Sequence, residues 1–107
     1  MIINISSTLG ITAMPNTSGY VVALECVHKA PWVRVNSIHP SFIDTPMVAS
    51  KMQRLGPKFR EYIEDNVPFG ELGEPVDITG GVVYLTSDTT KFVTGSKLVI
   101  DGGYLTR

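Results

Sequence analysis

Three short runs rich in Ile, Val and Leu, at Ile2–Ile5, 33–38 and Lys97–Ile100, divide this chain of 107 residues and limit the folds open to it. Each is too short for a helix, and each ends in Ser, Pro or Gly, as buried strands do when they give way to loops. Between them, apolar residues recur at helical spacing. Val22, Cys26 and Ala30 do so over 18–29, and Ile78, Val82 and Leu85 do so after Glu74. Over 46–66 two stripes follow one another, Val48, Met52 and Leu55, then Phe59, Tyr62 and Ile63. The order strand, helix, strand, helices, strand predicts an α/β fold, a parallel sheet of about three strands with crossover helices, in a single domain over 1–107.

The boundaries follow from local chemistry. In 33–38 the alternation of Val33, Val35 and Ser37 predicts that Arg34, Asn36 and Ile38 take the opposite face, with His39, Pro40 and Ser41 ending the strand. Gly56 and Pro57 divide 46–66 into two helices, and Thr45 with Pro46 reads as an N-cap followed by proline at the first helical position. Glu74, Pro75, Val76 and Asp77 form a second such start, with acidic side chains where the helix dipole favours them. Gly80 and Gly81 inside that helix are each unfavourable by roughly 1 kcal/mol relative to Ala, which predicts close contact with a neighbouring backbone. Lys58, Arg60, Glu61, Glu64 and Asp65 read as a solvated helix face.

Charge and composition exclude several functions. Nine Lys and Arg against ten Asp and Glu leave a net charge of −1, too little positive field to hold a phosphate backbone, so no nucleic-acid partner is expected. No apolar stretch is long enough to cross a bilayer, and the N-terminus lacks the pattern of an export signal. Membrane association is therefore not expected, and a cytoplasmic location is. Cys26 is the single cysteine, so it forms no internal disulfide and no zinc site built from several thiolates; no metal site is expected. His39, alone at a strand end, reads as a hydrogen-bonded structural residue.

Ser7 follows the first run and Tyr20 lies 13 residues later, both past the carboxyl end of a strand, where open α/β sheets place ligands. Around them stand Ile3-Asn4-Ile5-Ser6-Ser7 with Gly10, Arg34-Val35-Asn36-Ser37-Ile38-His39-Pro40, and Ile43-Asp44-Thr45-Pro46-Met47. Further on come Gly73-Glu74-Pro75 with Asp77-Ile78, and Phe92-Val93-Thr94-Gly95-Ser96 leading to Asp101-Gly102-Gly103. In this ordered set the chain resembles the C-terminal half of the short-chain dehydrogenase/reductase family, over nearly all of its length except residues 24–33.

The resemblance implies a partial Rossmann-like sheet and an NAD(P)-dependent oxidoreductase that transfers hydride between nicotinamide and a carbonyl or alcohol substrate. It implies Ser7 and Tyr20 as the catalytic pair, Ser7 holding the substrate oxygen and Tyr20 exchanging its proton. Tyr20, Pro40, Ser41, Ile43 and Thr45 are implied to face the nicotinamide end of NAD or NADP, and 44–66 to cover the substrate.

The sequence also departs from the family. Leu24 stands four residues after Tyr20, where the family has Lys. A free phenol titrates near ~10, and a cation one helical turn away is what brings its proton within reach of neutral pH. His28 and Lys29 lie more than two turns on and do not replace it. The stretch from Ala23 to Cys26 looks like the later part of the family's long helix, as though a dozen or so residues had been lost, and with them part of the helix that pairs subunits. No G-x-x-x-G-x-G turn precedes the first strand, so no helix N-terminus for a pyrophosphate is expected. Ser41 replaces the family's usual Gly. These departures lead to the expectation that the chain alone is inactive, and to an alternative, a non-catalytic truncated remnant that self-associates or pairs with a full-length relative through the open edge of its first strand.

Overall fold

The structure, a computed structural model, describes residues 1–8, 11, 29–30 and 32–106. Residues 18–28 of the helix expected over 18–29, with Tyr20, Leu24, Cys26 and His28, lie outside the described residues. Three strands, β1 (Ile2–Ile5), β2 (Val35–Pro40) and β3 (Lys97–Ile100), form one parallel sheet in the order β1-β2-β3. Three helices lie wholly among the described residues: α1 (Pro46–Leu55), α2 (Pro57–Asn66) and α3 (Pro75–Thr86), the last followed by a 3-10 turn at Asp88–Thr90. The expected α/β architecture and strand order are those observed.

The middle strand is displaced by two residues from its expected place. The pattern over 33–38 predicts that His39 and Pro40 end the strand, yet both belong to β2, where His39 pairs with Val99 and Pro40 with Ile100. Proline is tolerated there because it is the last residue of the ladder and its missing N–H falls at the end. The expected alternation of faces also gives way. Every residue from Val35 to His39 is buried, because a central parallel strand is covered on both sides and loses the half-exposed pattern.

Burial on both sides forces the polar members of β2 to find partners. Asn36, fully buried, donates from Nδ2 to the Val93 carbonyl at 3.1 Å and accepts the Ser96 N–H at Oδ1 at 3.0 Å. Arg34, just before the strand, donates to the carbonyls of Leu85 at 2.9 Å and Val93 at 3.1 Å, joining the end of α3 to the 93–96 connection. The neighbouring N–H of Val35 donates to Thr94 Oγ1 at 3.1 Å.

α3 begins as its sequence indicates. Glu74 is the N-cap, Pro75 the first helical residue, and Asp77 Oδ2 accepts the Glu74 N–H at 2.7 Å. Its buried side packs Gly81 and Leu85 against the sheet. A Cβ on Gly81 would stand 2.6 Å from Ile100 Cδ1 and 3.1 Å from Leu98 Cδ2, whereas one on Gly80 would meet nothing within 4 Å. The expected close approach thus falls on one glycine of the pair, and the neighbour is strand side chains rather than backbone.

α1 and α2 form a hairpin hinged at Gly56, whose φ of 63° is a left-handed value suited to glycine. Thr45 caps α1, with Oγ1 accepting the Val48 N–H at 3.5 Å, and Pro46 and Pro57 open the two helices. Only Ile63 of the hairpin is buried; Val48, Met52 and Phe59 are half-covered, and Leu55 and Tyr62 are exposed, so the two apolar stripes are less covered than their periodicity suggests. The charged face of α2 points to solvent as expected. Phe42 ties the hairpin to the tail: Phe59, Tyr62 and Tyr104 stand edge-on to its ring at 5.9, 6.0 and 5.3 Å.

Candidate functional site

Four of the expected site residues lie on one continuous stretch that leaves the carboxyl end of β2. Pro40 is the last residue of that strand, and its carbonyl accepts the Thr8 N–H at 2.9 Å. Ser41 follows, donating its N–H to the Ile100 carbonyl at 3.2 Å. Ile43 forms a parallel bridge with Gly73: the Gly73 N–H donates to Phe42 at 3.0 Å and the Asp44 N–H to Gly73 at 2.8 Å. Thr45 then caps α1, as its sequence position indicates.

Ser7 joins this stretch from β1. The Ser6 N–H donates to the Ile38 carbonyl at 2.8 Å and that of Thr8 to Pro40, so the chain around Ser7 still runs alongside β2 after β1 has ended. The Ser7 carbonyl lies 3.1 Å from His39 Nδ1. A carbonyl can only accept, so Nδ1 carries the hydrogen, and Nε2 is left to accept from the Ser37 hydroxyl at 2.9 Å. His39 is 6% exposed, which agrees with its reading as a bonded structural residue.

Tyr20 lies outside the described residues. Ser7, Pro40 and Ser41 are brought together at the carboxyl ends of two adjacent strands, and Ile43 and Thr45 extend that line toward α1. Sequence reasoning missed the contribution of Ser37. The available signal was its two-residue separation from His39, which puts both side chains on one face of a strand.

The Ser41 hydroxyl has a further peculiarity. Its Oγ is buried and has no hydrogen-bond partner, a rare condition for a polar atom in a folded protein. Beside this stretch a cleft of about 440 Å³ opens between Phe42, Ile43, Phe69, Leu72, Gly73 and Asp101, with Val67, Glu71, Asp77, Ile100 and Gly102 completing its walls. It takes in Ile43 but none of Ser7, Pro40, Ser41 and Thr45. Among the described residues, no group of three or more His, Cys, Asp and Glu could hold a metal ion, and no helix is long and apolar enough to cross a membrane.

Comparison with known proteins places this geometry in a family. A family profile described as enoyl-(acyl carrier protein) reductase matches residues 1–105. The NADP-dependent (R)-specific alcohol dehydrogenase of Lentilactobacillus kefiri is 38% identical over 96% of this chain and 44% of its own length. The cyclohexanol dehydrogenase of an Acinetobacter species is 35% identical over 99% of the chain and 43% of its own length. That second alignment runs over 118 positions, more than the 107 residues of this chain, so the relative has residues without a counterpart here. Among solved structures, a 4-hydroxyisoleucine dehydrogenase complexed with NADH superimposes with a TM-score of 0.81, at 30% identity, over 98% of this chain and 46% of that one. The chain spans less than half the length of each of these relatives. Its strand order, its sequence and the match across almost every residue agree: the chain belongs to the short-chain dehydrogenase/reductase family.

Proposed function

We propose that this chain carries the substrate and nicotinamide end of an NAD(P)-dependent oxidoreductase acting on a carbonyl or secondary alcohol. The observation that carries the reading is the convergence of Ser7, Pro40 and Ser41 at the carboxyl ends of β1 and β2, with a buried, unpartnered hydroxyl among them. Such a hydroxyl gains a partner when a polar ligand group docks there, and the carboxyl end of a parallel sheet is where dinucleotides bind in open α/β folds. The residues fit the nicotinamide end of the cofactor: Pro40, Ser41, Ile43 and Thr45 would line it. When bound, the cofactor supplies the hydride. Ser7 holds the substrate oxygen by its hydroxyl, and Tyr20 gives or takes the proton of that oxygen.

These 107 residues alone bind dinucleotide poorly and turn over nothing measurable. Leu24 supplies no cation to lower the phenol of Tyr20, and the sequence holds no glycine-rich turn for the pyrophosphate. The test is NADH and NADPH fluorescence on addition of the protein, followed by nucleotide consumption with a panel of ketones. Weak fluorescence change and no turnover are expected. Steady consumption abolished by Tyr20→Phe overturns the expectation of inactivity, and consumption unaffected by both Tyr20→Phe and Ser7→Ala overturns the assignment of the pair.

A second reading, association through β1, is favoured by one specific observation. Among the described residues β1 pairs on one side only, and Ile2 and Ile5 are exposed. An unpaired strand edge with apolar side chains is a template for another strand. The partner is a second copy or a longer relative, and sedimentation at micromolar concentration tests it: a dispersed monomer removes this reading.

A further inference from the structure

The cleft of about 440 Å³ takes in none of Ser7, Pro40, Ser41 and Thr45, and its walls differ in kind from that stretch. Its deeper surface is hydrocarbon. Val67 is buried, and Phe42, Ile43, Leu72 and Ile100 are partly covered. These walls are closely fitted: a Cβ on Gly73 would stand 2.9 Å from Ile43 Cδ1, and one on Gly102 would stand 2.9 Å from Val67 Cγ1. The hollow is therefore set by close packing of backbone and side chains, and its volume falls in the range that takes a small molecule.

Three carboxylates stand around this hydrocarbon, those of Glu71, Asp77 and Asp101, and no Lys, Arg or His lines the cleft. The backbone holds two of the three in place. Asp77 Oδ2 accepts the Glu74 N–H at 2.7 Å, and Asp101 accepts the N–H groups of Gly103 and Leu105 at 2.8 and 2.9 Å. Each carboxylate oxygen has two lone pairs, so these groups keep capacity to accept from a ligand, and little side-chain freedom remains to be lost when they do. Phe69, 79% exposed, adds an aromatic ring of the kind that attracts a cation to its face. Arg60 lines an adjoining hollow of about 240 Å³ that shares Glu71 and Leu72, but it does not line the cleft itself.

We propose that this cleft binds a small organic ammonium ion, with an aromatic or branched apolar body against Phe42, Ile43, Val67 and Ile100 and a primary ammonium group at the carboxylates. Hydrocarbon alone would accept any apolar molecule of the right size. Carboxylates without a neighbouring base favour the cation and reject the anion of the same shape. The site is separate from the proton exchange assigned to Ser7 and Tyr20, so it stands whether or not that assignment does.

The test is a titration of the ¹⁵N-labelled 107-residue chain, read from its amide resonances, with three probes of similar shape: phenethylammonium, phenethyl alcohol and phenylpropionate. The ammonium is expected to shift the amides of Gly73, Asp101 and Gly102 and to saturate at about millimolar concentration, ordinary for a ligand of this size. The alcohol is expected to bind about fivefold more weakly, the upper end of what one exposed ion pair confers, and the propionate not to saturate. Glu71→Lys, at an exposed position, is expected to weaken the ammonium by about fivefold and to strengthen the propionate. Equal binding of the three probes, shifts that miss these amides, no saturation by the ammonium, or indifference to Glu71→Lys overturns the proposal. Shifts of the same amides on dilution of the protein alone would assign the cleft to a second copy, and that result overturns it too.

Discussion

Gly81 of α3 lies so close to Ile100 of β3 that a methyl group on the glycine would come within 2.6 Å of Ile100 Cδ1. Its neighbour Gly80 faces open space. The two glycines should therefore respond oppositely to alanine. Gly81→Ala is expected to destabilise by roughly 1–3 kcal/mol through overpacking, and Gly80→Ala to stabilise by about 1 kcal/mol through helix propensity. Urea denaturation of the two variants checks both signs.

Arg34 and Asn36 both donate to the carbonyl of Val93, at 3.1 Å each. Removing either one leaves that carbonyl a partner, so each single substitution by Ala understates what the pair does. The double variant Arg34→Ala, Asn36→Ala is expected to lose about 0.5 kcal/mol or more beyond the sum of the singles. Additive losses in a denaturation cycle would show that the two bonds act independently.

Ser41 offers a stability test that needs no ligand. Its buried hydroxyl has no partner, so Ser41→Ala should stabilise the chain by about 1 kcal/mol. Ser41→Gly, which restores the family's usual residue, should gain less, because glycine loses more backbone freedom on folding. A loss of stability in the alanine variant would mean that the hydroxyl is satisfied in solution.

The edge of β1 can be tested by charge. Ile5 is 59% exposed, and Ile5→Lys places an ammonium group on a strand with one neighbour among the described residues. Lysines on edges oppose strand addition. Sedimentation velocity is expected to show smaller species for this variant than for the unsubstituted chain. An unchanged distribution would direct attention to another surface.

The contrast between β1 and β2 shows how far the sequence could be read. β1, Lys97–Ile100 and the starts of α1, α2 and α3 were legible because each carries a local signal: a β-branched run closed by Ser or Gly, or a cap followed by Pro. β2 was misplaced by two residues because its polar members, Asn36, Ser37 and His39, look like surface or terminating residues until their partners at 93–96 and Ser7 are known. Those partners are distant in sequence, and no local periodicity encodes them. The candidate site followed the same division. Ser7, Pro40, Ser41, Ile43 and Thr45 were legible as ordered motifs, and the structure puts Ser7, Pro40 and Ser41 at neighbouring strand ends with Ile43 and Thr45 just beyond. The unpartnered state of the Ser41 hydroxyl and the link from His39 to Ser7 depend on packing in three dimensions, and only coordinates reveal them.

The ring of Phe42 departs from the backbone between Ser41 and Ile43 and is wedged among Phe59, Tyr62 and Tyr104. That wedge ties the stretch leaving β2, the helical hairpin and the chain's tail together. A swing of the hairpin must unseat an aromatic keystone, and a push on the backbone at residue 42 is delivered to Tyr104, far along the chain from where it was applied.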